Sequence, residues 1–174
     1  MADVQGMADG RTSTTRHPNR LLLVVAVLTL AVAGAACGPR VAAAPPCGPA
    51  SPPDATADLV LTLANNDRAA SGLPALAWHG QLWCLAASSS QRMASSASFT
   101  HHDLAGALRS SGYRTLGENI LRGPSAYSGD QMHSAWMSSP THQANILSGS
   151  FTSLGMAMTW GVDGQLYVSV IFGG

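Results

Sequence analysis

The chain closes with two β-rich runs, FTSLGMAMTW and QLYVSVIF, joined by GVDGQ. Asp163-Gly164 in that join is a hairpin turn signal between runs of branched and aromatic residues. A chain that must accommodate this hairpin cannot be all-helical, yet the residues before it have mostly helical spacing. In DATADLVLTLANNDRAASG, Leu59, Leu63 and Ala70 can share one helix face, Asp54 can cap the start, and Gly72 followed by Pro74 stops it. LPALAW is a short apolar link. GQLWCLAASSSQRMASSA predicts a second helix with Leu82, Trp83, Ala86, Ala87, Ser90 and Met93 inward. Its serines give it little intrinsic helicity, so tertiary packing must hold it. DLAGALRSSGY predicts a short helix ending at Gly112. YRTLGENILRG is a strand or an irregular crossing segment. GDQMHSAWMSS predicts another helix with Met132, Ala135 and Trp136 inward, broken by Pro140, and PTHQANIL adds a further turn or two. There is no internal repeat. Helices flanking a small antiparallel sheet imply an α+β layered domain.

Charge narrows the function classes. Of 174 residues only 10% are charged, acids and bases balance, and there is no lysine; an average soluble protein has about 25%. No basic patch suits a phosphate backbone, so nucleic acid is excluded as the expected partner. Arginine without lysine, with abundant alanine, reflects a GC-rich genome rather than chemistry.

The N-terminus is ordered like an export signal: basic RTSTTRHPNR, then an uncharged run of sixteen residues from Leu21 to Ala36 that ends in small residues. That run is short of the roughly 20 residues a spanning helix needs. Residues 1–36 are therefore read as a signal peptide, starting at Met1 or Met7. Cys37 follows small residues in VAGAACGP, which resembles a lipobox, although Gly34 stands where a larger apolar residue is preferred. One reading makes Cys37 the lipidated first residue and attaches the protein to a membrane; the other is ordinary cleavage, near VAAA, and release. Both place the domain extracellularly or at the cell surface. Residues 37–53 are rich in Pro, Ala and Gly and read as a tether, leaving 54–174 as the folded domain. Cys47 and Cys84 remain, and an exported compartment permits a disulfide between them. The alternative is a buried Cys84 thiol on a helix and a tail residue at Cys47.

Glu118 is the only glutamate, set between apolar and small residues in LGENI. Alone, it reads either as a site acid or as a structural carboxylate that accepts backbone N–H groups or pairs with Arg114 or Arg122. His101 and His102 in FTHHD and His142 in SPTHQANIL occupy loop or helix-start positions suited to convergent side chains. His79 and His133 read as surface or packing residues. Spacing alone does not bring His101, Glu118 and His142 together, and there is no HExxH pair.

Taken together, NNDRAASGLPAL, FTHHD, LGENI, AWMSSPTHQANIL and LGMAM with YVSVIFGG resemble the bacterial branch of the CAP superfamily. These are SCP-like extracellular proteins akin to cysteine-rich secretory proteins, antigen 5 and plant pathogenesis-related 1 proteins. The resemblance covers about Leu59 to Gly174 and implies a three-layer α-β-α sandwich around an antiparallel sheet. It also implies a cleft lined by two histidines and two acids. The histidine after F-S/T matches His101, with His102 as a geometric substitute. The GEN glutamate matches Glu118, and the second histidine matches His142. The second acid, three residues after the tryptophan matching Trp136, is Ser139 here, so one member of the set is missing.

In such a cleft His101 and His142 would hold zinc or another divalent metal weakly, since two imidazoles leave open positions. Glu118 would fix a ring tautomer or hydrogen-bond a metal-bound water. Asn119 and Asn145 would bond backbone in their turns, and Trp136 would be core. The function this implies is a non-catalytic extracellular binding domain for a protein, cell-wall or lipid ligand. The alternatives are a metal-assisted hydrolase with Glu118 as general base, and a small lipid or sterol carrier. No strained nucleophile turn supports a serine triad.

Overall fold

The computed structural model describes residues 47–174. The predicted signal peptide, the tether up to residue 46, Cys37 and both candidate starts lie outside the described residues. The described chain forms α1 (Ala55–Ala70), β1 (Ala77–Trp78), α2 (Gly80–Ser96), α3 (Leu104–Ser111), β2 (Leu116–Gly123), α4 (Gly129–Met137), α5 (Pro140–Ile146), β3 (Ser153–Trp160) and β4 (Leu166–Gly173). The predicted hairpin is β3–β4, with Trp160 opposite Leu166 and Gly164 at φ +75° in the turn. LGENI lies in a regular strand: β2 pairs antiparallel with β4 from Leu116↔Gly173 to Gly123↔Leu166. The short link contains the two-residue β1, which adds to β3 in parallel. The sheet order is β1-β3-β4-β2, so β2 is an edge strand.

Side chains alternate across this sheet and sort into two helical layers. On β4, Leu166, Val168, Val170 and Phe172 join the core beneath α1, α4 and α5, together with Leu154, Met156, Met132, Trp136 and Ile146. Tyr167 and Ile171 point the other way, toward Met93 and Ala94 and toward Leu82 and Ala86 of α2. The expected three-layer α-β-α arrangement is therefore present.

Local signals explain most boundaries. Asp54 caps α1 by accepting the Ala57 N–H at 2.9 Å. Asp103 does the same for α3 through Gly106 N–H at 2.9 Å, and Gly112 ends that helix at φ +77°. Ser128 and Gln131 form a reciprocal capping box on α4. Ser-rich α2 is held by packing, as its composition requires. A Cβ on Gly155 would collide with the backbone of Leu82 and Trp83, so α2 lies directly on β3.

Two inward faces differ from the pattern. On α1 the buried stripe is Ala57, Val60, Ala64 and Arg68, while Leu59 and Leu63 are half-buried and Ala70 is exposed. Small side chains let α1 approach its neighbours, and a ranking by hydrophobicity favours the flanking leucines instead. On α2 the buried set is Leu82, Ala86, Ser89, Ser90, Met93 and Ala94; Trp83 and Ala87 sit at its margin, half-buried.

From Cys47 onward the stretch read as tether is held to the domain. Cys47 and Cys84 form a disulfide across 37 residues of sequence. A loop of that size stabilises by about 3–4 kcal/mol in the chain-entropy model. Trp78 Nε1–H donates to Pro49 O at 3.1 Å.

Arg68 was not singled out by the sequence. It is 1% exposed. Its Nε–H donates to Pro74 O at 2.8 Å, Nη1 to Ile146 O and Ser148 O at 2.8 Å each, and Nη2 to Phe151 O at 3.1 Å. Burial pulls its pKa down, but a guanidinium remains charged. One side chain thus ties α1 to the end of α5 and the approach to β3.

Candidate functional site

The site is organised by two consecutive residues of the edge strand. Glu118 and Asn119 are 4% and 0% exposed, and alternation sends their side chains to opposite helical layers. Each takes hold of a segment carrying one of the two histidines.

Glu118 faces the α2 layer. Its Oε1 accepts from Ser89 Oγ at 2.6 Å and Ser169 Oγ at 2.7 Å. Its Oε2 accepts from His101 Nδ1 at 2.9 Å and from the His102 N–H at 2.8 Å. An ionised carboxylate offers about four lone-pair sites, and four donors fill them. Burial alone would raise the Glu118 pKa. The hydrogen bonds from His101, Ser89, the His102 N–H and Ser169 outweigh it and hold the carboxyl below its ordinary value of 4.5. An ionised carboxylate only accepts, so His101 carries a proton on Nδ1, the nitrogen that faces Glu118. Neither Arg114 nor Arg122 is among the partners of Glu118; Arg122 lies over the Phe99 ring, 5.9 Å from its centroid.

Asn119 faces the other layer. Its Nδ2 donates to the carbonyl of His142 at 3.0 Å. Asn145 Nδ2 donates to Asn119 Oδ1 at 2.8 Å and to Glu118 O at 3.3 Å. Trp136 Nε1–H reaches Ile120 O at 3.3 Å. The last two contacts occupy carbonyls on the strand's outer edge, which discourages pairing with another chain. They also dock α4 and α5 against β2. Both asparagines bond backbone, but across 23 and 27 residues of sequence between β2 and α5 rather than within their own turns as the sequence suggested. The His142 imidazole is held below its ordinary value of 6.5, first by burial and then by the nearby charge of His101. It is neutral near pH 7 and within electrostatic reach of His101.

The second acid of the expected set is missing. Ser139 stands at the N-cap position of α5 without a side-chain capping bond, its Oγ is 3.3 Å from Thr141 Oγ1, and it brings no carboxylate. Among the described residues no group of three or more His, Cys, Asp or Glu side chains is placed to hold a metal ion. The described residues therefore form no closed metal site. His102 adjoins the site through its N–H on Glu118, whereas His79 and His133 lie elsewhere. His79 meets Tyr113 edge-on at 5.7 Å, and buried His133 bonds Asp67 through Nε2 at 2.7 Å.

Sequence reasoning missed Ser89 and Ser169, and also Arg92, whose guanidinium bonds Thr100 and the His101 carbonyl. Two serines inside the buried stripe of α2 were the available signal, because a buried hydroxyl needs a partner. Arg92 carried no such signal.

A family model described as the cysteine-rich secretory protein family, CAP, matches residues 61–172. The chain belongs to this family. An extracellular SCP-domain protein of Bacillus anthracis is 26% identical with a TM-score of 0.55, over 67% of this chain and 39% of that one. A cysteine-rich secretory protein of Staphylococcus aureus is 23% identical with a TM-score of 0.57, over 68% and 38%. This CAP chain thus spans about two fifths of either protein. An outer surface protein of Borrelia burgdorferi shares the fold at 14% identity and a TM-score of 0.59, over 68% of this chain and 91% of that one. Sequence comparison with curated proteins finds no match. The neighbours described as extracellular or secretory are CAP relatives, which fits a domain working outside the cytoplasm.

Proposed function

We propose that this is an exported, non-catalytic CAP-domain binding protein whose His101 and His142 hold a divalent metal weakly. The observation that carries the reading is the saturation of Glu118 by four donors. A general base must offer a lone pair to the water it activates, and this carboxylate has none to spare. Its chemistry is that of a positioning group, which orients His101 and fixes its tautomer as outer partners of metal-binding histidines do. The neutral state of His142 and the absence of a third ligand among the described residues favour weak, exchangeable binding. Export rests on the order of charge and hydropathy in residues 1–36, on the disulfide, and on the extracellular relatives. The partner classes are those met outside the cell: another protein, the cell wall or a lipid surface, the last reached through Cys37 if it is lipidated.

The test is a calorimetric zinc titration of the full-length protein beside its His101→Ala/His142→Ala variant. The wild type should take up about one zinc, weakly and exchangeably because two protein ligands leave the site open, and the double variant none. Equal behaviour of the two proteins would remove the metal from the reading. Turnover of a peptide or cell-wall substrate that is abolished by Glu118→Gln would overturn its non-catalytic part.

A further inference from the structure

The loop that carries His101 is held from the outside as well as from Glu118. Arg92, exposed on the last turns of α2, donates Nη1 to Thr100 Oγ1 at 2.7 Å and Nη2 to Thr100 O at 2.7 Å and His101 O at 3.1 Å. The loop leaves α2 through Ala97 in the left-handed region, φ 49°, a conformation that disfavours a residue with a Cβ. The chain is therefore turned sharply by Ala97 and then gripped three residues later by a planar fork. Glu118 completes the arrangement by taking the His101 ring and the His102 N–H on one oxygen.

We propose that Arg92 is a positioning residue: it latches residues 97–101 in the geometry that delivers the His101 imidazole, with Nδ1 on Glu118, to the cleft. The inference rests on the metal-binding reading for its consequence, though not for its geometry. A surface arginine in a simple ion pair could be exchanged for lysine. A guanidinium that spans a hydroxyl and two successive carbonyls cannot, because an ammonium is a point donor without the fork. Charge and geometry are thus separable.

The experiment compares full-length wild type, Arg92→Gln and Arg92→Lys. Nitrogen-15 imidazole spectra at one fixed pH above 7.5 report the His101 tautomer without metal, and zinc titration reports affinity. Wild type should show one Nδ1–H tautomer for His101, and both variants a mixture of the two. Zinc should bind about tenfold more weakly in both variants, at the lower end of the effect of outer-sphere partners. Rescue of the spectrum by lysine, or an unchanged His101 tautomer in both variants, would overturn the proposal. If the wild type binds no zinc, the metal reading fails while the tautomer comparison still decides the latch. Arg92 is exposed, so both variants should fold, and an unchanged His133 signal provides the internal check.

Discussion

The two helical layers hold the same sheet by different means. Beneath α1, α4 and α5 the contact is broad and apolar, with Trp136, Phe151, Phe172 and Met132 interlocked and buried Arg68 serving backbone carbonyls. Beneath α2 the contact is close and partly polar. Gly155 admits the helix backbone, and Ser89, Ser90, Ser169, Thr159 and Glu118 exchange hydrogen bonds where large side chains would otherwise interdigitate. The apolar layer carries most of the burial, whose stabilisation is non-directional. The polar layer carries orientation, since hydrogen bonds fix angles as well as distances. The site uses both, borrowing a rigidly docked helix start for His142 and a directed loop for His101.

The largest break in this comparison should come from the apolar layer. Arg68→Met preserves most of the volume but takes a donor from four carbonyls, leaving Ser148 O only the long Phe151 N–H contact at 3.4 Å, and each buried unsatisfied group costs about 1–3 kcal/mol. Even with partial relaxation, a loss of about 4 kcal/mol or more is expected in chemical denaturation. α5 should loosen first, seen as faster hydrogen exchange at Leu147 N–H, which bonds Gln143 O in the last turn of that helix. A loss below about 1 kcal/mol would mean that water replaces the guanidinium and that this layer is less dry than its burial indicates.

Glu118→Gln tests the polar layer at nearly constant shape. An amide oxygen cannot accept four donors, and the NH2 group would face donors in turn, so about 2–3 kcal/mol should be lost at neutral pH. The pH dependence sharpens this. The folded-state pKa of Glu118 lies below 4.5. Between it and the unfolded value the unfolded chain binds more protons, so stability rises with pH. The contribution is fully present above about pH 4.5 and is lost as pH falls through the folded pKa. Urea midpoints from pH 6 to pH 2 should show this acid slope in the wild type and a reduced slope in the variant. Equal slopes would show that other carboxylates control acid unfolding.

Much of this arrangement could be read from the chain before its coordinates. Capping residues, the Asp163-Gly164 turn and the stops at Gly72 and Gly112 are local, and local signals survive into the fold. The family fragments named His101, Glu118 and His142 together, which spacing could not do, because their meeting depends on β2 lying at the sheet edge between two layers. What stayed hidden was who serves whom. Ser89, Ser169 and Glu118 come from three elements whose register no pairwise pattern encodes. Arg68 reads as a solvent-facing arginine until its burial is known, and the inward face of α1 was misplaced because alanines pack closely where leucines only look more apolar.

The smallest expected effect has the opposite sign and separates strain from grip. Ala97 holds φ 49° while its N–H and that of Ser98 close onto Met93 O, the hydrogen-bonded helix end at which glycine is usually found. Ala97→Gly should remove a steric penalty of about 1–2 kcal/mol, offset in part by the greater freedom of glycine in the unfolded chain. A net gain of about 0.5–1 kcal/mol should appear as a melting temperature higher by a few degrees. Zinc affinity should not move, because Arg92 and Glu118 still fix the loop beyond the turn. If Ala97→Gly instead weakens zinc as much as Arg92→Gln does, the strained turn sets the direction of His101 and the latch merely follows it. If it is neutral in both measurements, the left-handed turn carries no strain worth relieving, and the rigidity of the loop resides wholly in the three arginine bonds and the carboxylate.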